Sequence, residues 1–99
     1  MPNEHYILSI DQSTNVTKVM LFDEKGSLCA KVERPHRQII TKEGWIEHDP
    51  DEIYRNMLDG IRELLAKSGV HPSQVLAAGL CNQRETAVVW ARNGKPLCN

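Results

Sequence analysis

Ninety-nine residues, 40% of them hydrophobic and 25% charged, suffice for one small domain with a single core and are too few for two lobes. Twelve basic residues against thirteen acidic ones give a formal charge of -1, spread along the chain, which excludes an electrostatic footprint for nucleic acid or for an anionic membrane. Cys29, Cys81 and Cys98 stand far apart without Cys-x-x-Cys spacing, which argues against a disulfide frame or a zinc site and for reduced thiols in the cytoplasm.

The start, Met1-Pro2-Asn3-Glu4-His5, lacks the basic and apolar regions of a leader. No apolar run approaches the roughly 18 residues of a membrane span. From Tyr6 to Asp23, two apolar runs rich in β-branched residues flank Asp11-Gln12-Ser13-Thr14-Asn15, which predicts strand, tight turn, strand. A turn of this kind directs backbone N–H groups and hydroxyls into one concavity that suits phosphate oxygens, and an acid at the end of the first strand can hold hydrated magnesium. An ordinary hairpin with a polar tip accounts for the same residues.

A second turn at Glu24-Lys25-Gly26-Ser27 leads to a third strand, Leu28 to Glu33, whose alternation fits a sheet with one wet face, and Pro35 ends it. Two short turns in succession predict a three-stranded meander. Residues 36–48 read as a loop in which Gly44-Trp45-Ile46 is an apolar island that either anchors the loop to the body, the favoured reading, or lines a cleft. Asp49-Pro50-Asp51-Glu52 then carries a cap, a proline at the first helical position and a capping-box glutamate, so a helix is expected from Pro50 to about Lys67. Ile53, Met57, Leu58, Ile61, Leu64 and Leu65 share one face of it, and Gly69 stops it.

Val75 to Leu80 is an apolar run of the kind seen in a strand buried on both faces, and the crossover through the helix places it parallel to a meander strand. Cys81 to Thr86 is mostly polar and lies just past that strand's carboxyl end, the position that ligand sites favour in open α/β sheets. Thr86 to Ala91 reads as a further strand, with Asn93-Gly94 as a hairpin turn and Pro96 to Asn99 as the start of a return strand. Trp90 and Phe22 are expected in the core, and the four dispersed histidines on the surface.

Arg84 and Glu85 form the second candidate constellation: a guanidinium fork donates and a carboxylate accepts, which suits vicinal hydroxyls. A solvated surface ion pair is the other reading of the same residues.

Ile10-Asp11-Gln12-Ser13-Thr14, Leu21-Phe22-Asp23, Gly44 to Pro50 and Asn82 to Trp90 together resemble the amino-terminal part of the glycerol kinases, within the FGGY family of carbohydrate kinases. The resemblance runs from Tyr6 to Asn99 with the segments in family order. It implies the ribonuclease-H-like, actin-like ATPase fold, an α/β mixed sheet of which this chain supplies an incomplete first lobe, residues 1–99 being the amino-terminal part of the first domain. It also implies ATP- and Mg2+-dependent transfer of the γ-phosphoryl group to a primary hydroxyl of a small polyol or sugar.

Carried over by position, Asp11 would be the catalytic acid at the magnesium. Thr14, Asn15, Val16 and Lys18 would border the phosphates, and Arg84 and Glu85 would hold the polyol. Ser13 stands where the family has Gly, Asn15 and Val16 where it tends to have Thr and Ser, and Lys18 where it usually has Arg. The family's general base and adenine-binding lobe would fall beyond residue 99, so the 99-residue chain is expected to be inactive alone, and its edge strand from Thr86 to Ala91, left without a partner, is expected to make it self-associate as a homo-oligomer. A stand-alone binding or interaction module that kept the fold without the chemistry is the alternative.

Overall fold

Strand β1 (Tyr6–Gln12) and strand β2 (Val16–Asp23) form the expected hairpin, paired antiparallel from Tyr6 and Asp23 at the open end to Gln12 and Thr17 at the turn. The computed structural model describes residues 4–84 and 86–99. Strand β3 (Leu28–Pro35) returns along β2, completing the meander, with a register shift beside Leu21 and Phe22. Asp23 closes the intervening turn, its carboxylate accepting from the backbone N–H groups of Lys25 and Ser27 at 2.9 Å each.

Residues 36–48 are more than a loop. Strands β4 (Ile39–Ile40) and β5 (Ile46–Glu47) make a small antiparallel ribbon around the turn that ends at Gly44, where φ is 85°. A backbone at that φ strains any side chain, which is the reason for glycine there. Trp45 and Ile46, 66% and 59% exposed, do not anchor this ribbon to the body, and Ile46 instead lines a cleft. The facing strand is only two residues long, too little surface to cover an indole.

Helix α1 (Pro50–Ser68) starts where Asp49 caps the Asp51 N–H and ends at Gly69, which takes the left-handed conformation and returns its N–H to the Leu65 carbonyl. Glu52 makes no capping box. Its carboxylate is drawn instead to Arg37, accepting from the backbone N–H at 2.9 Å and from Nε at 3.1 Å. Charge-assisted bonds to an arginine outcompete the single backbone donor that a box would satisfy.

The helix lies over the meander. Leu64 is fully buried against Leu8, Ile10, Val19, Leu21 and Val32, with Met57 and Ile61 packed at the margin. Each such side chain removed from water contributes about 1.5–3 kcal/mol. The close approach depends on Gly60, where an added Cβ would stand 2.9 Å from Val19 Cγ2. A 3-10 turn at Pro72–Gln74 then feeds strand β6 (Val75–Asn82), which pairs parallel to β1, giving the sheet order β3-β2-β1-β6.

Strand β6 departs from the expectation of burial on both faces, for Leu76 and Leu80 are 64% and 62% exposed. The helix covers β2 and β3 and stops short of this edge. Beyond it, residues 86–91 form no strand. Trp90 makes one isolated bridge to Pro96, the Leu97 N–H reaches the Val89 carbonyl, and a turn from Ala91 closes with the Gly94 N–H on the Ala91 carbonyl at 2.9 Å, so the chain does reverse at Asn93-Gly94. The hairpin signal is local and is obeyed, but a ladder needs a sheet edge to lie against. Trp90, 63% exposed, is therefore outside the core. A radius of gyration of 15.7 Å exceeds the roughly 13 Å of a compact 100-residue domain, in keeping with this extended end.

Candidate functional site

The pleat decides what each strand offers. Leu8 and Ile10 point to the helix, so Ser9 and Asp11 point to the opposite, open face. Asp11 pairs across with Lys18 on β2, Lys18 with Glu33 on β3, and on its other side Asp11 is in register with Cys81 of β6. Paired residues share a face, so Asp11, Lys18 and Glu33 form a row of alternating charge across the sheet. Glu33 is held below the ordinary carboxylate range, first by its hydrogen bond with Lys31 and then by the charges of Lys31 and Lys18.

Ser13, Thr14 and Asn15 make the connection. The Ser13 N–H donates to the Val16 carbonyl at 2.9 Å, and the Ser13 hydroxyl donates to Asp11 Oδ1 at 3.1 Å. Thr14 and Asn15 are exposed at the tip. The Asn15 side chain accepts from Gln38, while its carbonyl accepts from the His36 N–H at 2.8 Å. Val16 is the first residue of β2, paired with Pro35, and has only its backbone to offer a ligand.

A cleft of about 460 Å³ opens beside this turn. Thr14 forms one wall. Glu47, His48 and Pro50 at the start of the helix form a second, and Gln83, Arg84 and Thr86 past the end of β6 a third. The structure thus brings Thr14 and Arg84, from the two constellations singled out in the sequence, to one cavity. Asp11 and Lys18 lie on the open sheet face and are not among its lining residues. Glu85 lies outside the described residues.

Two contributors escape the sequence reading. His48 is expected on the surface, yet its Nε2 is buried and has no hydrogen-bond partner among the described residues, and the ring lines the cleft. Its place directly before the capping Asp49 is the available signal, since the residue preceding a cap is fixed by the helix start. Gln83, half-buried in the same wall, has no signal beyond its neighbour Arg84. His36, also expected on the surface, is 7% exposed. Burial pushes its ring below the ordinary histidine value, Glu52 opposing the shift and His48 adding to it.

Residues 6–99 match the N-terminal domain of the FGGY family of carbohydrate kinases. This chain belongs to that family. It is 47% identical to glycerol kinase 1 of Thermotoga maritima over 95 residues, which are 95% of this chain and 19% of that protein. It is 48% identical to a glycerol kinase of Methylorubrum extorquens over 90 residues, 90% of this chain and 18% of that one. Among solved structures it resembles Plasmodium falciparum glycerol kinase with ADP, at a TM-score of 0.82 and 38% identity over 95% of this chain and 19% of that one. Gluconate kinase from Lactobacillus acidophilus superposes at a TM-score of 0.87 and 27% identity, over 98% of this chain and 19% of that one.

The FGGY chain therefore has the actin-like ATPase sheet expected from the resemblance, and it spans about a fifth of the length of the relatives it matches. No described helix is long and apolar enough to cross a membrane. No group of three or more His, Cys, Asp or Glu that could hold a metal ion occurs among the described residues.

Proposed function

We propose that the chain is the amino-terminal piece of an ATP-dependent polyol kinase that moves a γ-phosphoryl group to a primary hydroxyl, with glycerol as the substrate class. One observation carries this reading: Thr14 and Arg84, far apart in sequence, line the same cleft, and the turn that carries Thr14 is bonded to Asp11 through the Ser13 hydroxyl. Phosphoryl transfer is mostly positioning and charge stabilisation, and a cleft with a hydroxyl-bearing turn on one wall and a guanidinium on another supports it. Arg84 would donate its fork to polyol oxygens, with Glu85 accepting from the same hydroxyls. Thr14, Asn15 and the Val16 backbone would border the phosphates, and Lys18 would add positive charge on the open side.

A single carboxylate with a hydroxyl beside it fits the way magnesium is held, through one or two acids with phosphate and water completing the shell. Asp11 would hold the ion, which when bound supplies charge neutralisation to the transferring group. Ser13, where the family has glycine, keeps its hydroxyl on Asp11. That contact orients the carboxylate. The general base and the adenine pocket would come from the remainder of the protein, so the 99-residue chain is expected to be inactive by itself.

A chimera tests the reading. This chain replaces the matching first fifth of Thermotoga maritima glycerol kinase 1, and ATP consumption is followed with glycerol, xylulose and gluconate in turn. Glycerol-dependent turnover is expected. A folded chimera that turns over none of the three would favour a binding module without chemistry.

A further inference from the structure

We propose that His36 is the positioning residue of the Ser13–Asn15 turn: a neutral ring, protonated at Nε2, that ties the turn to helix α1 and releases it on taking up a second proton. The brace is read from contacts alone. It rests on the kinase reading above only for its consequence in catalysis.

His36 holds the segment after the turn tip at two points. Its backbone N–H donates to the Asn15 carbonyl at 2.8 Å, and its Nε2 lies 2.8 Å from the Thr17 hydroxyl, two residues further along β2. Its other ring nitrogen, Nδ1, lies 2.9 Å from Asn56 Nδ2 on the second turn of α1. The same Asn56 nitrogen donates to the Pro35 carbonyl at 3.0 Å, which identifies that atom as the amide donor, since an amide oxygen would repel a carbonyl. Nδ1 must therefore be the bare, accepting nitrogen, and the single ring proton sits on Nε2, donated to Thr17.

A second proton would go on Nδ1, where it would face a donor. Asn56 cannot turn its oxygen to meet that proton without setting it against the Pro35 carbonyl. Protonation thus breaks at least one of the two bonds that the Asn56 amide makes and leaves a buried donor unmatched. With Asn56 let go, the ring keeps only its Nε2–H bond to Thr17, and the strand start that follows Asn15 loses its tie to the helix.

The charged groups around the ring come from each element packed on it. Helix α1 contributes Glu52, already occupied by Arg37, and the segment before the helix contributes His48. On β3, Arg34 is engaged with Glu63 at 3.1 Å, and Lys18 of β2 points to the open face. Only Glu52 favours the imidazolium, and burial opposes it.

Nuclear magnetic resonance on the 99-residue chain tests the brace without any assumption about catalysis. At about pH 7.5 the ring nitrogens of His36 should report the Nε2–H tautomer. As pH falls from about 7.5 through the ring's own titration, the exchange protection of the His36 amide should fall at least tenfold, in step with that titration and with shifts of Thr14 and Asn15. The transition should persist in His48→Gln and vanish in His36→Gln, which offers a donor and an acceptor without a titrating ring. An Nδ1–H tautomer, or a turn whose signals stay fixed while His36 titrates, overturns the proposal. The wild-type titration decides the matter even where His36→Gln does not fold.

The chimera then separates the two readings. A braced turn in a chimera without ATP turnover removes the kinase reading and leaves His36 in its role. An active chimera whose kcat profile below neutral pH is left unchanged by His36→Gln removes the link to catalysis.

Discussion

Leu64 and Leu80 are the same side chain in two regions of the molecule, 0% and 62% exposed. Leu64 sits on a helix laid across three strands. Leu80 sits on the outer strand of the same sheet, past the reach of that helix, and from there to Asn99 the chain keeps Val88, Val89, Trp90 and Leu97 exposed as well. The contrast teaches that an apolar run states what an element can bury and says nothing about whether a covering layer is present. The meander and α1 close on themselves. The region from β6 onward presents its apolar surface and carries Arg84 to the cleft.

The largest expected effect breaks the comparison at its two ends. Leu64→Ala should lower the unfolding free energy by about 2–5 kcal/mol, because the cavity it leaves lies among rigid strand residues. Leu80→Ala should change it by less than about 0.5 kcal/mol at dilute concentration. Urea denaturation of both variants followed by circular dichroism checks this, and equal losses would mean that the outer region is covered.

Next in size come Asp11, on the open sheet face, and Arg84, in the wall of the cleft, both tested in the chimera. Asp11→Asn should lower kcat by about a hundredfold with little change in the polyol KM, since an acid acting through a metal serves the transferring charge. Arg84→Ala should raise the polyol KM by about tenfold to a hundredfold, its fork of donors being lost. Steady-state kinetics with glycerol resolves the two. Equal effects on KM would place both residues in substrate binding alone.

What could be read from the chain divides along the same line. Apolar runs about a polar turn, with alternation in the third strand, marked the meander, and an Asp-Pro start with a Gly stop bounded α1 to within a residue, because those signals are satisfied by neighbours in sequence. Strand β6 was legible as a strand next to the meander but not in its exposure, since the covering layer is not encoded in its own residues. His36 was illegible for a different reason. Its partners Thr17 and Asn56 lie 19 and 20 residues away, and nothing around Pro35 announces that the ring turns inward. The cleft was half legible: the polar turn and Arg84 stood out, while their meeting and the inward face of His48 depend on how the ribbon of β4 and β5 is folded.

A smaller effect probes the closed region through pH. The His36 ring in the folded chain has its proton affinity below the ordinary value near 6.5, so the unfolded chain takes up the proton first as pH falls. Stability from this group is complete above about pH 6.5, declines as pH falls toward the folded value, and levels off below it. Glu33 and Glu52, held below the usual carboxylate range, lose their contributions only at lower pH, below about 4.5. Urea midpoints from neutral pH to about pH 5 should therefore fall in the wild type and flatten in His36→Gln. A wild-type midpoint constant over that window would contradict a buried neutral ring.

The smallest effect belongs to the open region. The outer edge of β6 carries no charged residue and no proline, the usual protections of an unpaired edge. A two-fold axis at Ala78 would pair it antiparallel with a second copy and set Leu76 of each chain opposite Leu80 of the other, two side chains 64% and 62% exposed in the single chain. The edge expected to seek a partner from the sequence was residues 86–91, but these form no strand, so the association falls to β6. The 99-residue chain should dimerise as its concentration rises, and Leu80→Lys should weaken the dimer by about tenfold, the two-fold removing two partly buried leucines at about 0.7 kcal/mol each. Light scattering over a concentration series measures both. A particle that stays monomeric throughout would show that exposed leucines at an uncharged edge are not enough for this sheet to extend itself.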